Sequence, residues 1–261
     1  MSRAITLGRL FGFEFRVHFS WFIIFILVTT SLVSPHYTEW FYWLIGIVAS
    51  LLLFSSVLAH ELAHSLVGRS NGIPISSITL FIFGGVSQMT EEASRPAAEL
   101  KMAAAGPLCS LVLGAFFGLL LVIPGIPQPI RELLFWLALT NVSLAVFNLV
   151  PGFPLDGGRI FRSILWRLMG NYKRASLIAV RVGQGIGYLL VLGGIVIMFL
   201  HPFGLTWFDG IWIAFIGWFL ESAATESYRQ ILTQETLARA SASGIMPLDI
   251  PSPPANRDGQ S

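Results

Sequence analysis

The sequence predicts an all-α polytopic membrane protein with six transmembrane helices and a small β element on the cytoplasmic side. Of its 261 residues, 54% are hydrophobic and only 11% are charged, against about 25% charged residues in ordinary soluble domains. The mean hydropathy is +0.73. A chain of this size has too little polar surface to cover such a core in water, so lipid is expected to be its main solvent.

Six apolar stretches predict the membrane helices. Each is near the roughly 20 residues that a helix needs to cross the hydrocarbon core, and the last is the shortest. Backbone groups in hydrocarbon must be hydrogen-bonded within their own segment, which favours helices. The stretches cover residues 17–34, 41–68, 100–123, 133–150, 178–200 and 208–223.

Arginine and lysine residues indicate the orientation, because loops rich in them stay in the cytoplasm. They occur before the first stretch and after the second, fourth and sixth, whereas the opposite loops carry only Arg131. We therefore expect a multi-pass protein of the cell membrane with both termini in the cytoplasm. The basic residues form no stripe of the kind that binds nucleic acid.

Two segments have the patterns of β-strands. Residues 5–17 alternate between apolar and polar side chains, which is typical of a half-buried strand. Residues 73–89 are rich in β-branched and aromatic side chains and contain a Gly84–Gly85 break. This second pattern predicts a hairpin or a re-entrant strand pair near the cytoplasmic face.

These patterns predict one membrane domain over residues 1–230. Its N-terminal strand segment, 1–16, precedes the six-helix bundle, 17–223, which includes the hairpin over 73–89. Residues 231–261 have the Pro, Ser and polar content of a disordered end in their later part. They are expected to form a short, partly disordered cytoplasmic tail.

The strongest chemical signal lies near the cytoplasmic end of the second helix, where the chain reads His60-Glu61-Leu62-Ala63-His64. Residues four apart share one face of a helix, so both imidazoles can bind one metal ion at about 2.0–2.1 Å. The carboxylate of Glu61 is placed to take a proton from an attacking water. This arrangement is typical of zinc-dependent hydrolysis.

Two other interpretations of this motif are open. It can be a chance match, or its polar groups can simply bond to neighbouring helices. The membrane position disfavours both, because a charged side chain there costs at least about 2.5–3.5 kcal/mol. Three ionisable residues within five positions therefore indicate a specific partner, for which a metal ion is suitable.

A catalytic zinc site normally has three protein ligands and an open position, so one ligand is still needed. The other acids near the predicted membrane depth are Asp156, Asp209 and Glu221. Asp209 is expected at the opposite face, and Glu221 closes the last helix. Asp156 follows the fourth helix on the side of His64, among prolines and glycines that predict irregular backbone lining a cavity or buried in protein. Asp156 is the predicted third ligand, and a turn or cap aspartate is the alternative.

The two motifs together resemble those of the site-2 protease family of intramembrane zinc metalloproteases. HELAH in one membrane helix is followed by NLVPGFPLDGGR after another. The opening LGRLFGFEFRVHFSWF and the segment FGGVSQM resemble the bacterial and archaeal branch that includes sporulation-factor processing proteases. The resemblance covers most of residues 1–230. It implies one zinc ion bound by His60, His64 and Asp156, with Glu61 as general base.

Many members of that branch continue into a cytoplasmic nucleotide-sensing domain of the cystathionine-β-synthase type. The segment after residue 230 is too short for such a domain, so either this regulation is lacking or the domain is missing from this sequence, and no nucleotide binding is predicted. The loops are also too short for an inserted PDZ domain of about 80–100 residues. The resemblance further implies a catalytic core formed by the second to fourth helices and cleavage of substrate helices within the bilayer.

Four further residues are candidates for binding substrate. Asn141 and Asn148 lie on nearly one face of the fourth helix, where an amide can bond to a substrate backbone or a developing oxyanion. Interhelical hydrogen bonding is the alternative, and the resemblance favours substrate positioning for Asn141. The strand edge at Gly84 and Gly85 is expected to hold an extended substrate by β-augmentation. A hairpin that only seals the bundle is the alternative.

Gly106 and Ser110, four residues apart in the third helix, are interpreted as small residues that allow close helix packing. The predicted function is a zinc-dependent intramembrane endopeptidase acting on single-pass membrane proteins, in regulated intramembrane proteolysis. The alternative is a divalent-metal transporter that uses the same ligands. The non-ligating Glu61 and the lack of acids in the outer halves of the second and fourth helices disfavour it. A non-catalytic membrane binder is disfavoured by the intact motif, and the oligomeric state is left open.

Overall fold

The computed structural model describes residues 4–33, 40–81, 84–89 and 93–242. The strands of this part of the chain are β1 (Ala4–Leu10), β2 (Phe13–His18), β3 (Ile75–Phe81) and β4 (Gly84–Met89). Its helices are α1 (Ser20–Val33), α2 (Trp40–Ser70), α3 (Pro96–Leu120), α4 (Gln128–Asn148), α5 (Asp156–Met169), α6 (Tyr172–Leu200) and α7 (Trp207–Ala242).

Among the described residues, the four helices α2, α3, α4 and α6 are long and apolar enough to cross a membrane. Large apolar side chains cover their outer surfaces, as Leu51, Leu119 and Leu189 illustrate with exposed fractions of 48%, 70% and 69%. Such a surface is unfavourable in water and suits hydrocarbon. The chain is therefore a mostly helical integral membrane protein.

All six predicted apolar stretches are helical, but several bounds differ from the prediction. α1 has only 14 residues, because residues 17 and 18 belong to β2. α6 begins at Tyr172 rather than at 178, since capping sets a helix start and the Asn171 side chain accepts a hydrogen bond from the Arg174 N–H at 2.9 Å. Hydropathy does not detect such a polar first turn.

α7 continues to Ala242 and so includes the first part of the predicted tail. The segment after position 223 mixes polar residues with good helix formers such as Leu, Gln, Arg and Ala, so it continues the helix although it is too polar to be predicted as an apolar stretch. The rest of the predicted tail, 243–261, lies outside the described residues.

The strands form one sheet in the order β1-β2-β3-β4. β1 and β2 pair antiparallel, β2 and β3 pair parallel, and β3 and β4 pair antiparallel. The hairpin predicted over 73–89 is thus present. The prediction of one strand over 5–17 was wrong, because Phe11 and Gly12 adopt positive φ angles of 52° and 85° and turn the chain into a hairpin.

The sheet packs against α2 next to the predicted metal motif. Its contact is an apolar cluster of Phe13, Phe15 and Ile78, against which Leu58 and Leu62 of α2 are packed. The alternation predicted for the N-terminal segment is present in β2, where every second side chain is buried. This packing places β4 beside the face of α2 that carries the motif.

α5 is a helix that the sequence analysis did not predict. The chain is irregular from Leu149 to Leu155, as expected, but the helix begins at Asp156 itself. Gly157 and Gly158 allow this start, because a Cβ atom on either would collide with backbone atoms of the preceding loop. The glycines therefore permit close packing of the first turn instead of ending regular structure.

Candidate metal centre

The two histidines of the motif lie on one face of α2, one turn apart. Their Nε2 atoms are 3.1 Å from each other. Both residues are buried, with exposed fractions of 3% for His60 and 8% for His64. The i, i+4 spacing therefore brings two nitrogen donors to one point inside the bundle, as helix geometry requires.

The first residue of α5 brings a carboxylate to the same point. Asp156 Oδ2 lies 3.1 Å from His60 Nε2 and 3.1 Å from His64 Nε2. Among the described residues, these three side chains form a cluster able to hold a metal ion. The structure thus places the third predicted ligand beside the other two, although Asp156 lies 96 positions after His60 and 92 positions after His64 in the sequence.

The hydrogen bond on the outer edge of His64 determines which of its nitrogens is protonated. Nδ1 lies 2.7 Å from the carbonyl oxygen of Met102, and a carbonyl only accepts, so Nδ1 of the neutral ring donates. Nε2 then carries a lone pair and faces Asp156 Oδ2, which also carries lone pairs. Two such acceptors at 3.1 Å repel each other unless a cation lies between them.

The donor set fits a zinc ion. Ligand atoms around a tetrahedral ion with bonds of about 2.0–2.2 Å lie roughly 3.3–3.6 Å apart, close to the 3.1 Å separations of this cluster. Two imidazoles and one carboxylate are a common protein ligand set for catalytic zinc, in which a further position stays open. His60, His64 and Asp156 therefore form a metal-binding cluster.

α3 supports both imidazoles from the side opposite the cluster. Ser110 Oγ lies 2.8 Å from His60 Nδ1, and Met102 accepts from His64. Between them, Gly106 has no side chain, and a Cβ atom there would collide with the His64 and His60 rings. The sequence pattern predicts only a packing role for Gly106 and Ser110. The one sequence signal of a second role for Ser110 is that it carries a hydroxyl in an otherwise apolar stretch.

Glu61 lies next to the hairpin. A Cβ atom on Gly85 would lie 2.9 Å from Glu61 Cδ and 3.3 Å from its Oε1, so the absence of a side chain at this position lets β4 approach the carboxylate. Gly84, the first residue of β4, pairs with Phe81 of β3. The two glycines predicted to border the substrate site are thus in the strand beside the motif.

The two asparagines of α4 differ in their surroundings. Asn141 is buried and donates to Ser56 Oγ at 3.3 Å and to the Leu137 carbonyl at 2.9 Å. Its Oδ1 has no hydrogen-bond partner within the described part of the chain. Asn148 is half-buried and donates to the Leu144 carbonyl at 2.9 Å. Asn141 therefore connects α4 to α2 one turn before His60.

The two acids that the sequence analysis set aside bond elsewhere. Asp209 accepts hydrogen bonds from the backbone N–H and the hydroxyl of Thr206, both at 2.7 Å, at the start of α7. Glu221 accepts from Thr225 at 2.7 Å and from Tyr188 at 3.1 Å. Asp209 thus caps a helix, and Glu221 takes part in contacts between α6 and α7.

A His-His-Asp cluster with two buried histidines, inside a bundle of long apolar helices, defines the class: an integral membrane protein with a metal centre. Comparison with known sequences is more specific, since the sequence profile of Peptidase family M50 matches residues 48–131 and 126–194. The chain belongs to this family, that of the site-2 proteases, as its motifs predict.

Two curated relatives and one solved structure illustrate the similarity. The chain is 42% identical over 245 residues to the putative zinc metalloprotease sll0528 of Synechocystis, covering 91% of this chain and 63% of the relative. It is 41% identical over 247 residues to the putative zinc metalloprotease Rip3 of Mycobacterium tuberculosis, covering 91% and 62%. The chain therefore spans less than two thirds of the length of these relatives.

The structural similarity covers almost the whole fold. The site-2 protease from Methanocaldococcus jannaschii has a TM-score of 0.60 and 30% sequence identity, over 86% of this chain and 94% of the other. This agrees with the mostly helical membrane fold and its small sheet.

Proposed function

We propose that this chain is a zinc-dependent intramembrane endopeptidase that hydrolyses transmembrane segments of single-pass membrane proteins. The observation that carries the proposal is the convergence of His60, His64 and Asp156, whose donor atoms lie 3.1 Å apart. Family membership and the neighbouring Glu61 support the same activity. Regulated intramembrane proteolysis is the process in which such an enzyme would act.

His60, His64 and Asp156 would hold the zinc ion. When bound, zinc would act as a Lewis acid, polarising the scissile carbonyl and lowering the pKa of water. Ser110 and Met102 orient the two imidazoles by their outer nitrogens, which keeps the inner nitrogens directed at the ion. Burial of both histidines limits the access of bulk water to the cluster.

Glu61 would act as general base and then as general acid. Glu61 directly follows His60 in the sequence, and its carboxylate does not belong to the ligand set, so it can transfer protons. It takes a proton from the attacking water and later donates one to the leaving amine. The close approach of Gly85 limits the positions that the carboxylate can adopt.

The outer edge of β4 is proposed to hold the substrate. Peptide bonds in a helix are shielded by their own hydrogen bonds, so the substrate must become extended before it is cleaved. β4 is the last strand in the sheet order of the described residues, and an extended peptide can pair with its edge by β-augmentation. Gly84 and Gly85 lie at the start of this edge. Asn141 and Asn148 are proposed to bond to the substrate backbone.

The proposed orientation has both termini in the cytoplasm and six crossings. Four crossings are the long helices α2, α3, α4 and α6, and the other two are α1 and the first half of α7. The distribution of arginine and lysine supports it, because only Arg131 lies in the opposite loops. His64 is near the C-terminal end of α2, as is the sheet, so water and the extended substrate segment would reach the metal from the cytoplasmic side.

The test uses the purified chain with a panel of single-pass substrates, including membrane-bound transcription-factor precursors and signal-peptide remnants. Glu61→Gln is expected to abolish cleavage and to retain about one zinc per chain, because Glu61 is not a ligand. Glu226→Gln, an exposed position in α7, is the matched control and should cleave normally. Metal transport into vesicles that survives Glu61→Gln, with no cleavage by the unsubstituted chain, would support the transporter instead.

A further inference from the structure

A groove of about 240 Å³ lies where the β1–β2 hairpin meets α2. Its apolar lining consists of Phe15 and Val17 of β2, Leu80 of β3 and Leu58 of α2. Gly8 of β1 also lines the groove, and a Cβ atom there would meet nothing within 4 Å. The groove therefore offers an apolar surface with open space on the β1 side, which suits part of an acyl chain.

The groove lies beside a helix that is long and apolar enough to cross a membrane. α1 runs along the first part of α2, where the Trp21 and Phe54 ring centres are 4.9 Å apart. The β1–β2 turn lies at the far end of α2, where Arg69 donates to a carbonyl of the turn. Leu58 is between these two levels, about 16 Å along the helix from Arg69. The groove is therefore at the level where one half of the bilayer surrounds α2.

Exposed apolar side chains on and next to the hairpin indicate that it contacts the membrane. Ile5 in β1, Phe11 in the turn and Phe19 between β2 and α1 are each more than half exposed. Large apolar side chains on one short hairpin are unfavourable in water and suit a lipid surface. The hairpin is thus expected to lie against lipid, with the groove open to it.

Two guanidinium groups border this apolar groove. Arg9 is exposed, and within the described residues its side chain makes no hydrogen bond or ion pair, although Glu14 attracts it. Arg16 donates to Glu14 Oε2 at 2.9 Å and keeps further N–H donors. Glu14 does not line the groove, and its other oxygen accepts from Thr6. The lining therefore contains two cations and, among the described residues, no acid.

A guanidinium next to hydrocarbon is unfavourable unless an anion or water accepts its hydrogen bonds. Arginine can lay its apolar stem along such a surface and place its charged end at the headgroups. The planar fork of N–H donors binds phosphate in a bidentate way. A ligand for this groove should thus combine a phosphate with an apolar chain, and a phospholipid of the surrounding membrane has both.

We propose that this groove binds one anionic phospholipid. Its phosphate accepts hydrogen bonds from Arg9 and Arg16, and one acyl chain packs against Leu58 and Leu80. The two guanidinium groups and the carboxylate of Glu14 leave one unit of positive charge, which a singly charged anionic lipid neutralises. A zwitterionic lipid would bring an ammonium group towards two guanidinium groups. A free phosphate ion would leave the apolar part of the groove unfilled.

The experiment measures lipid binding to the full, zinc-loaded and delipidated chain by native mass spectrometry in a neutral detergent. The probe is dioleoyl phosphatidylglycerol. Its controls are dioleoyl phosphatidylcholine, with the same chains, and dibutyryl phosphatidylglycerol, with the same headgroup. We expect one site per chain for the probe and at least about tenfold weaker binding of each control. Charge-assisted hydrogen bonds account for the first difference, and the second follows because each buried methylene contributes about fourfold.

Three variants locate the site. Arg9→Gln should weaken binding of the probe at least about tenfold, and the exposure of Arg9 means that the fold should tolerate the change. Arg167→Gln, an exposed position in α5, removes the same charge and should leave binding within about twofold. Glu14→Gln removes the competing carboxylate and frees Arg16, so it should bind the probe at least as tightly as the unsubstituted chain. This variant keeps the test decisive if Arg9→Gln fails to fold.

Several results would overturn the proposal. They are equal binding of the two dioleoyl lipids, equal binding of the long-chain and short-chain probes, full binding by Arg9→Gln, or weaker binding by Glu14→Gln. Displacement of the probe by a lower concentration of inorganic phosphate would assign the two arginines to a free phosphate ion instead. None of these measurements uses peptidase activity, so the proposed function and this lipid site fail or succeed separately.

Discussion

The hydroxyl oxygen of Ser110 lies 2.8 Å from Nδ1 of His60, on the ring edge opposite the nitrogen that faces Asp156. α3 thereby orients a metal ligand that belongs to α2. Together with the Met102 carbonyl bonded to His64, it supports both imidazoles from one helix. Metal affinity should therefore depend on α3 as well as on the three ligands.

Ser110→Ala is expected to lower zinc affinity by about 10–100-fold, the usual effect of removing a hydrogen bond to a ligating histidine. Competition with a chromophoric chelator measures it. Ser110→Thr, which keeps the hydroxyl, should restore most of the affinity. Ser55→Ala is the control, because Ser55 donates to the Leu51 carbonyl of its own helix at 2.8 Å. Unchanged affinity in Ser110→Ala would refute this role.

Asp156→Ala is expected to reduce bound zinc from about one per chain to less than about a tenth, because only two neutral donors remain of the usual three ligands. Elemental analysis of the purified protein measures the stoichiometry. Asp209→Ala should keep its zinc, since Asp209 bonds to Thr206 at the start of α7. Full zinc occupancy in Asp156→Ala would show that another residue is the third ligand.

Gly106→Ala places a methyl group against the His60 and His64 rings. We expect loss of zinc and a lower unfolding temperature, because α3 must move away from α2 to make room. Gly118→Ala in the same helix is the matched control, since a Cβ atom there meets nothing within 4 Å. That control should keep its zinc and gain up to about 1 kcal/mol from helix propensity. Equal zinc contents in the two variants would contradict the prediction.

Gly85→Ala should separate metal binding from catalysis. A methyl group at Gly85 displaces the Glu61 carboxylate, and a shift of about 1 Å in a catalytic group can reduce the rate about 100-fold. Zinc content should stay near one per chain, because none of the ligands is touched. Gly185→Ala in α6, where a Cβ atom meets nothing within 4 Å, should cleave at the normal rate. If Gly85→Ala lost its zinc as well as its activity, the substitution would be disturbing the metal ligands and not only Glu61.

Arg162→Leu leaves the Glu99 carboxylate buried without its partner. Breaking a buried ion pair in this way typically costs about 3–5 kcal/mol, which denaturant unfolding in detergent can measure. Adding Glu99→Gln should recover part of that loss, since the uncompensated charge is then gone. Arg167→Leu, an exposed position, should change the free energy of unfolding by less than about 0.5 kcal/mol. A cost of similar size for Arg162 and Arg167 would contradict this account.

The predictions from sequence succeeded where the signal is local. The apolar stretches became helices, and the four long ones form the membrane bundle. The i, i+4 spacing of His60 and His64 placed both imidazoles together, because one turn of helix sets that distance regardless of what surrounds it. Alternation in β2 likewise marked the buried face of a strand.

The errors arose where a neighbouring element determines the conformation. The N-terminal segment is a hairpin because Phe11 and Gly12 take positive φ, and the Phe11 carbonyl accepts a hydrogen bond from Arg69 at 2.8 Å, at the end of α2. Gly157 and Gly158 were expected in irregular backbone, but they permit α5 to start against the preceding loop. Neither outcome can be deduced from the segment alone.

By itself, the sequence determined the membrane as the surroundings of this protein, the number of its apolar stretches and the pair of histidines able to bind one metal ion, since these follow from composition and from spacing within single helices. Tertiary structure alone decided that Asp156 meets the histidines, that Ser110 and Met102 hold the rings, and that Gly85 approaches Glu61. These contacts join residues far apart in the chain, and their distances depend on how helices and sheet pack, which no local pattern records.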